Sequence, residues 1–168
     1  MSKGIKVKGL WFNPNIHPYT EYTSRLESLK KLGKLWSLDI EYIDAYPLDD
    51  FLKSIVDKGA GRCEVCYRTR LQKAAETAAK MDFEAFTTSL IASPFQKFDM
   101  IVDIGKEIGL SLGVPFYYED LRQGWGISRG LAAEFGLYRQ KYCGCIYSEM
   151  ERYSEKGGKG RNKQRKTG

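Results

Sequence analysis

The sequence predicts one α/β domain over residues 1–153, in which a mostly parallel sheet is flanked by helices. Short runs typical of strands alternate with longer runs of helical spacing along the chain. Successive strands separated by helices are joined by right-handed crossovers, which make the strands parallel. A chain of 168 residues, 42% of them hydrophobic, is long enough for one substantial core and too short to suggest two.

The first half of the chain predicts two strands and two helices. Residues 5–12 alternate and then become fully apolar, as in a strand that passes into the middle of a sheet. Residues 19–32 carry apolar side chains at helical spacing, and Gly33 is the predicted end of that helix. A second alternating strand is predicted over residues 37–43 and a short helix over residues 46–56.

The second half continues the same alternation. A helix begins after the Gly-Ala-Gly at residues 59–61, and its narrow alanine face predicts close packing of its backbone against the sheet. A third strand is predicted over residues 83–90 and a helix over 97–112 that ends at Gly113. Residues 114–118 form the fourth predicted strand, and a short helix over 128–135 ends at Gly136.

The net charge of +6 comes from the end of the chain. Six of the 27 Lys and Arg residues lie in the last 13 positions, and the other 21 balance the 21 acidic residues. This stretch is rich in Gly and lacks apolar side chains, so residues 154–168 are predicted to form a disordered basic tail. Such a tail either holds RNA phosphates or only aids solubility.

No apolar stretch approaches the roughly 18 residues that span a membrane. No signal-peptide core follows the first residues either, so we predict a cytoplasmic protein without a membrane partner. In a reducing compartment, clustered cysteines are more often ligands or redox-active thiols than members of structural disulfides.

The pair Cys63 and Cys66 lies at the predicted start of a helix, where free N–H groups and the helix dipole favour the thiolate. A CxxC pair forms half of a zinc or iron–sulfur site, a redox dithiol, or two buried apolar residues. The second pair, Cys143 and Cys145, favours chemistry, because all four cysteines then fall into two tight clusters.

The spacing of Cys143 and Cys145 is too tight for an ordinary zinc knuckle, which has about two to four intervening residues. A reversible disulfide, or ligation of metal beside a cluster, suits this pair better. The preceding residues Arg139, Gln140 and Lys141 are predicted to contact RNA. Their cations would also lower the pKa of the nearby thiols.

Two loops at the carboxyl ends of predicted strands supply further candidates, because ligands bind at this edge of α/β sheets. The first loop contains Asn13 and Asn15, predicted substrate contacts, and His17, the only histidine of the chain. His17 is either a hydrogen-bonded structural residue or a group that transfers protons or contacts RNA. Glu119 and Asp120 lie in the second loop, where ligand, proton-donor and helix-cap roles all stay open.

Five motifs, taken together and in order, resemble the QueH family of epoxyqueuosine reductases that need no cobalamin. They are FNPNIHP at residues 12–18, CEVC at 63–66, FTTSLIASP at 86–94, FYYED at 116–120 and GLYRQKYCGC at 136–145. The resemblance runs from about residue 6 to residue 153, and the last motif is the most specific.

The resemblance implies an adenine-nucleotide-hydrolase-like fold of the HUP or Rossmann-like kind and an enzyme with a 4Fe–4S cluster and an additional iron. Such an enzyme reduces epoxyqueuosine to queuosine at the wobble position of tRNA, with electrons from a donor that the sequence does not identify. Cys63 and Cys66 would correspond to two cluster ligands. Cys143 and Cys145 would correspond to a redox-active disulfide or to thiols near the metal. Independently of the resemblance, His17, Glu119 and Asp120 are the candidate proton donors.

Members of the family begin with a further strand bearing a Cys-Cys pair, followed by an Asp linked to the additional iron and by a helix. Residues 1–4 have no counterpart to this segment, so the expectation is a chain that lacks one N-terminal strand and helix, about 25 to 30 residues. The alternatives are a non-catalytic zinc-binding RNA module, a degenerate inactive paralogue, and a dithiol oxidoreductase without metal.

Overall fold

The computed structural model describes residues 4–154, so the predicted basic tail lies outside this range except for Ser154. The described part is an α/β structure with a two-stranded parallel sheet and six α-helices, which confirms the predicted fold class. The strands are β1 (Gly9–Trp11) and β2 (Ile40–Tyr42). The helices are α1 (Tyr19–Trp36), α2 (Leu48–Ile55), α3 (Arg62–Lys80), α4 (Phe98–Leu112), α5 (Trp125–Glu134) and α6 (Ile146–Tyr153).

The first layer consists of β1 and β2, with α1 as the crossover between them. Gly9 pairs with Ile40 and Trp11 with Tyr42 in a parallel register. Trp11 packs with Tyr22 and other residues of α1 in a small core. The Nε1 of Trp11 also donates to the hydroxyl oxygen of Tyr22 at 3.0 Å. These contacts fix α1 against the sheet and place the loop that follows β1 beside the start of α1.

The predicted end of α1 at Gly33 is wrong, because the helix continues to Trp36 and ends at Ser37 in the left-handed conformation (φ 51°). Gly33 is buried within the helix. A Cβ at this position would lie 3.1 Å from Cδ1 of Ile40. The glycine therefore allows α1 to approach β2 closely and does not terminate the helix.

The third and fourth predicted strands are wrong as continuous strands. Their segments meet only at a single parallel bridge between Phe86 and Phe116. Pro115 has no N–H to donate to a ladder. Beyond Phe86, the hydroxyl of Thr88 accepts from the N–H of Leu90 and starts a 3-10 turn over Ser89–Ala92. The parallel direction is as predicted, but both segments turn away after one pairing.

The main core lies between α3 and α4. The alanine face of α3 contributes Ala75 and Ala78, and α4 contributes Ile101 and Ile108. The prediction that this alanine face packs on a sheet is wrong, since its main neighbour is α4 and only the bridged phenylalanines accompany it. The end of α4 at Gly113, in the left-handed conformation (φ 69°), is confirmed.

The last two helices differ from the sequence prediction. Helix α5 begins at Trp125, before the predicted start at residue 128. Helix α6 begins directly after Cys145 and was not predicted. Within the described range, no helix combines the length and apolar character that crossing a bilayer requires.

We expect Gly105→Ala to destabilise the protein by about 1–3 kcal/mol, because a new Cβ would lie 2.5–2.8 Å from atoms of the Phe116 ring. The matched control is Gly126→Ala on α5, where a Cβ meets no atom within 4 Å and added helix propensity should leave stability unchanged or slightly higher. Urea unfolding followed by circular dichroism measures both variants. Equal midpoints for the two variants would contradict the close packing of α4 on Phe116.

A candidate cysteine centre

Two sequence-distant cysteine pairs come together in the folded chain. Cys66 from α3, with Cys143 and Cys145 from the loop before α6, packs into one apolar cluster with Phe51 and Ile55 of α2. We call this set the cysteine centre and include in it Cys63, one turn before Cys66 on α3. A negative charge on Cys63, Cys143 or Cys145 would raise the pKa of Cys66, so the four sulfur atoms are close enough to interact electrostatically. All four are free thiols in this structure.

The helix α3 starts as predicted, one residue before Cys63. The predicted preference of its cysteines for the thiolate is wrong for Cys66. Burial raises the pKa of Cys66 to about 12, although the nearby charge of Arg70 acts in the opposite direction. In this position, removal of the sulfur from water outweighs the influence of the helix N-terminus.

Cys143 and Cys145, in the loop before α6, differ in their burial and in their hydrogen bonds. Cys143 Sγ lies 3.1 Å from the Oγ of Ser148, to which it donates. Cys145 is buried and forms the N-cap position of α6. Burial raises the pKa of Cys145, and the N–H groups of Tyr147 and Ser148 only partly oppose this effect. The prediction that neighbouring cations lower the pKa of this pair is therefore wrong for Cys145.

Gly144 allows the loop to fit against residues 13–18. Its φ of 117° lies in the region that favours glycine, and a Cβ there would lie 3.0 Å from Cγ1 of Ile16 and 3.3 Å from Nδ2 of Asn15. The N–H of His17 donates to the carbonyl of Gly144 at 2.8 Å, and the Tyr142 hydroxyl donates to the carbonyl of His17 at 2.6 Å. The Asn–His loop and the CxC loop thus form one unit.

A buried ion pair on α1 holds the CxC loop from the other side. The guanidinium of Arg25 donates to the carbonyl of Cys143 at 3.0 Å and to the carbonyl of Tyr142 at 2.8 Å. Its Nε donates to Glu21 at 2.8 Å, and the side chains of Arg25 and Glu21 are only 10% and 8% exposed. The Tyr138 hydroxyl donates to the other oxygen of Glu21.

Sequence reasoning missed Arg25, Glu21 and Tyr142. The only signal for the first two is their i,i+4 spacing at the start of a helix, which is also typical of solvent-exposed pairs of little energetic value. What distinguishes this pair is its burial under a loop more than 100 positions away in sequence, which periodicity cannot reveal.

His17 is almost completely buried, with 1% of its surface exposed. Its Nδ1 lies 2.9 Å from the hydroxyl oxygen of Tyr46, and its ring lies against Phe51 of the cysteine centre. Within residues 4–154, Nε2 of His17 and Oδ1 of Asn15 are buried without a hydrogen-bond partner. Burial lowers the pKa of His17, and the Pro14 carbonyl partly opposes this effect. The imidazole is therefore neutral at pH 7.

The remaining predicted site residues lie on the surface or outside this unit. Arg139, Gln140 and Lys141 are exposed beside the CxC loop, and Asn13 is partly buried. Asp120 is exposed and binds Arg122, whose hydrogen bonds lower the pKa of Asp120 to about 2. Glu119 accepts from the Tyr117 hydroxyl at 3.0 Å. Asp120 is therefore ionised at neutral pH and pairs with Arg122 instead of a cysteine-centre residue.

The predicted metal ligands Cys63 and Cys66 do not belong to a complete ligand set in the described part of the chain. No group of three or more His, Cys, Asp or Glu side chains there is arranged to hold a metal ion. Three cysteines share the apolar cluster, whereas Cys63 packs against the core between α3 and α4.

Comparison with known proteins identifies the family of this chain. A sequence profile described as "Epoxyqueuosine reductase QueH" matches residues 1–151. The chain belongs to the QueH family. Membership confirms the resemblance, and with it the predicted class of oxidoreductase and the predicted function of epoxyqueuosine reductase in queuosine tRNA modification.

Several relatives named epoxyqueuosine reductase QueH share most of this chain. The relative from Dehalococcoides mccartyi is 38% identical over 153 residues, which cover 91% of this chain and 84% of the relative. The relative from Thermotoga maritima is 38% identical over 152 residues, or 84% of this chain and 79% of the relative. The relative from Helicobacter pylori is 34% identical over 158 residues, or 86% of this chain and 42% of the relative.

We expect His17 to titrate below its ordinary pKa of 6.5 in the folded protein, because burial disfavours the imidazolium. Since the unfolded chain then binds the proton more readily, stability should fall as pH decreases through about 6.5. His17 is the only histidine, so one NMR signal reports its titration and urea unfolding at several pH values reports the stability. His17→Gln should lose this pH dependence. A folded-state pKa at or above 6.5 would contradict the burial argument.

In the reduced, metal-free protein, iodoacetamide should modify Cys66 at least about tenfold more slowly than Cys63. The reason is that burial of the Cys66 thiol raises its pKa and the thiolate is the reactive form. Site-resolved mass spectrometry measures the two rates. Both cysteines should react at similar rates in guanidinium chloride, which serves as the control. Equal rates in the folded protein would show that Cys66 is not shielded.

Proposed function

We propose that this chain reduces epoxyqueuosine to queuosine in tRNA and that the cysteine centre is its redox site. The observation that carries the proposal is the convergence of Cys66 with Cys143 and Cys145 in one apolar cluster. Redox thiols and cluster ligands must come within reach of one another, and the contact between α3 and the loop before α6 brings these thiols together. The substrate in this proposal is taken from the family, whose members are named epoxyqueuosine reductases.

Reduction of an epoxide requires a redox cofactor or dithiol, and the residues fit a 4Fe–4S cluster in part. A cuboidal cluster takes four cysteine thiolates. Cys63 and Cys66 have the spacing of two such ligands on one helix, and binding of iron would reverse the raised pKa of the Cys66 thiol. The described residues do not contain a complete set of four cluster ligands. Cys63 and Cys66 are therefore proposed as two of the four. When bound, a cluster of this type supplies electrons one at a time.

The pair Cys143 and Cys145 is proposed as the source of the reducing equivalents. Removal of the epoxide oxygen breaks two C–O bonds, forms one C=C bond, consumes two electrons and two protons, and releases water. Oxidation of the two thiols to a disulfide releases two electrons and two protons, so the reaction balances. An external electron donor of unidentified nature must then reduce the disulfide again.

His17 is proposed to hold or move a proton near this site. Its neutral ring lies against Phe51, and its Nε2 is buried without a hydrogen-bond partner in residues 4–154, so this nitrogen would exchange a proton only with a group that displaces the residues around it. Asp120 remains a weaker candidate because its carboxylate is ionised and paired with Arg122. The surface residues Arg139, Gln140 and Lys141, with the partly buried Asn13, are proposed to contact the tRNA. Asn15 is buried, so it is proposed to act on the substrate only through the loop of residues 13–18. The reaction is proposed to take place in the cytoplasm.

Two cysteine variants test the proposal. After anaerobic purification and treatment with iron and sulfide, we expect Cys63→Ser to lose visible cluster absorption and turnover together. Cys143→Ser should keep the absorption and lose turnover, because its loss removes the dithiol and leaves the α3 pair intact. Iron, sulfide and zinc are measured per chain, and queuosine is measured by mass spectrometry of nucleosides from tRNA, with dithiothreitol as reductant.

Retained turnover in Cys63→Ser would refute the proposed role of the α3 pair in holding the cluster. Retained turnover in Cys143→Ser would refute the role of the dithiol. One colourless zinc per chain, without iron or sulfide, would identify a zinc-binding RNA module instead of a reductase.

A further inference from the structure

A surface cavity of about 390 Å³ lies between the start of α1, the loop before Cys143 and helix α6. It is lined by Tyr138, Tyr142 and Tyr153, together with Lys141, Glu21 and Glu149. We call it the tyrosine pocket. Its volume falls within the roughly 300–1,000 Å³ typical of pockets for small ligands, and Tyr142 is the residue before Cys143 of the cysteine centre.

We propose that the tyrosine pocket binds one unpaired nucleotide of the substrate RNA, adjacent to the nucleotide that is reduced. The base would stack on a tyrosine ring while its phosphate stays at the rim near Lys141. This inference rests on the proposed function, since it assumes an RNA substrate, and it assigns to that substrate a site separate from the sulfur atoms.

The rings of the pocket are available for stacking. Tyr153 is 56% exposed and Tyr138 is 40% exposed. Proteins that bind unpaired RNA stack bases on exposed aromatic rings of this kind. The interaction tolerates any base, because every base has a π face.

The inner wall is held in place before any ligand arrives. The hydroxyl of Tyr138 donates to Glu21, which also binds Arg25, and the hydroxyl of Tyr142 donates to the carbonyl of His17 at 2.6 Å. Because both hydroxyls are engaged inside the protein, the two tyrosines present their rings to a ligand and not their polar ends. A prearranged surface lowers the entropy cost of binding.

The charges orient the nucleotide. Glu149 on the first turn of α6 contributes a carboxylate to the wall, and carboxylates repel a phosphate. Lys141 is exposed and lies beside the equally exposed Arg139. The base therefore enters the pocket, where Glu149 can accept from its N–H groups, and the phosphate remains with the cations outside.

The experiment measures binding of a fluorescent anticodon stem-loop RNA that carries unmodified guanosine at the wobble position, so binding is separated from turnover. We expect Tyr153→Leu to weaken the affinity about tenfold, since one base loses its stacking partner, whereas Tyr153→Phe should bind like the wild type. Lys141→Gln should lower the slope of log affinity against log salt by about 0.7–0.9. The matched control is Tyr118→Leu, which removes a tyrosine of similar exposure (46%) outside the pocket.

Wild-type affinity in Tyr153→Leu would overturn the inference, and so would an equal loss of affinity in Tyr118→Leu. Circular dichroism and thermal unfolding of the variants establish that their folds are intact. If Tyr153→Leu is unstable, Tyr153→Phe still tests the inference, because this variant must bind the RNA as the wild type does. A wild-type protein that does not bind the RNA at all would contradict the proposed function together with this inference.

Discussion

The ion pair between Arg25 and Glu21 is the constraint on which the cysteine centre depends. Burial of two charges is costly unless each is paired and hydrogen-bonded, and this pair meets that condition only with the CxC loop in place. Arg25 uses its remaining donors on the carbonyls of Tyr142 and Cys143. Glu21 uses its second oxygen on the Tyr138 hydroxyl. Displacement of the loop would leave both charges short of partners, so α1 fixes where the sulfur atoms lie.

The same centre shows how competing effects on a thiol are decided. A helix N-terminus stabilises a thiolate by about 2 kcal/mol at most, whereas burial in an apolar environment disfavours the charged form more strongly. At Cys66 and Cys145 burial prevails and the pKa rises. Cys66 and Cys145 are thus held neutral until a cation or an oxidant changes their state. This suits a site that must keep its reducing equivalents from water and oxygen.

Much of the fold follows from sequence pattern, and the deviations have local causes. The helical period of residues 97–112 and the glycine after it predict α4 correctly, since its buried isoleucines recur at helical spacing. The strand around Phe86 fails because hydroxyl capping by Thr88 and the missing N–H of Pro115 end the pairing. Cysteine spacing predicted Cys63, Cys66, Cys143 and Cys145 as site residues. It could not show that the two pairs meet, because that contact depends on Arg25 and Gly144 acting between segments far apart in the chain.

Helix α6 connects the cysteine centre to the tyrosine pocket. It contains eight residues and is therefore about 12 Å long, with Cys145 before its first residue and Tyr153 at its last. A stiff rod of this length moves as one piece. Cys145 and Tyr153 therefore stand at the two ends of one rigid element, so the position of the ring beside the tyrosine pocket depends on the position of the CxC loop.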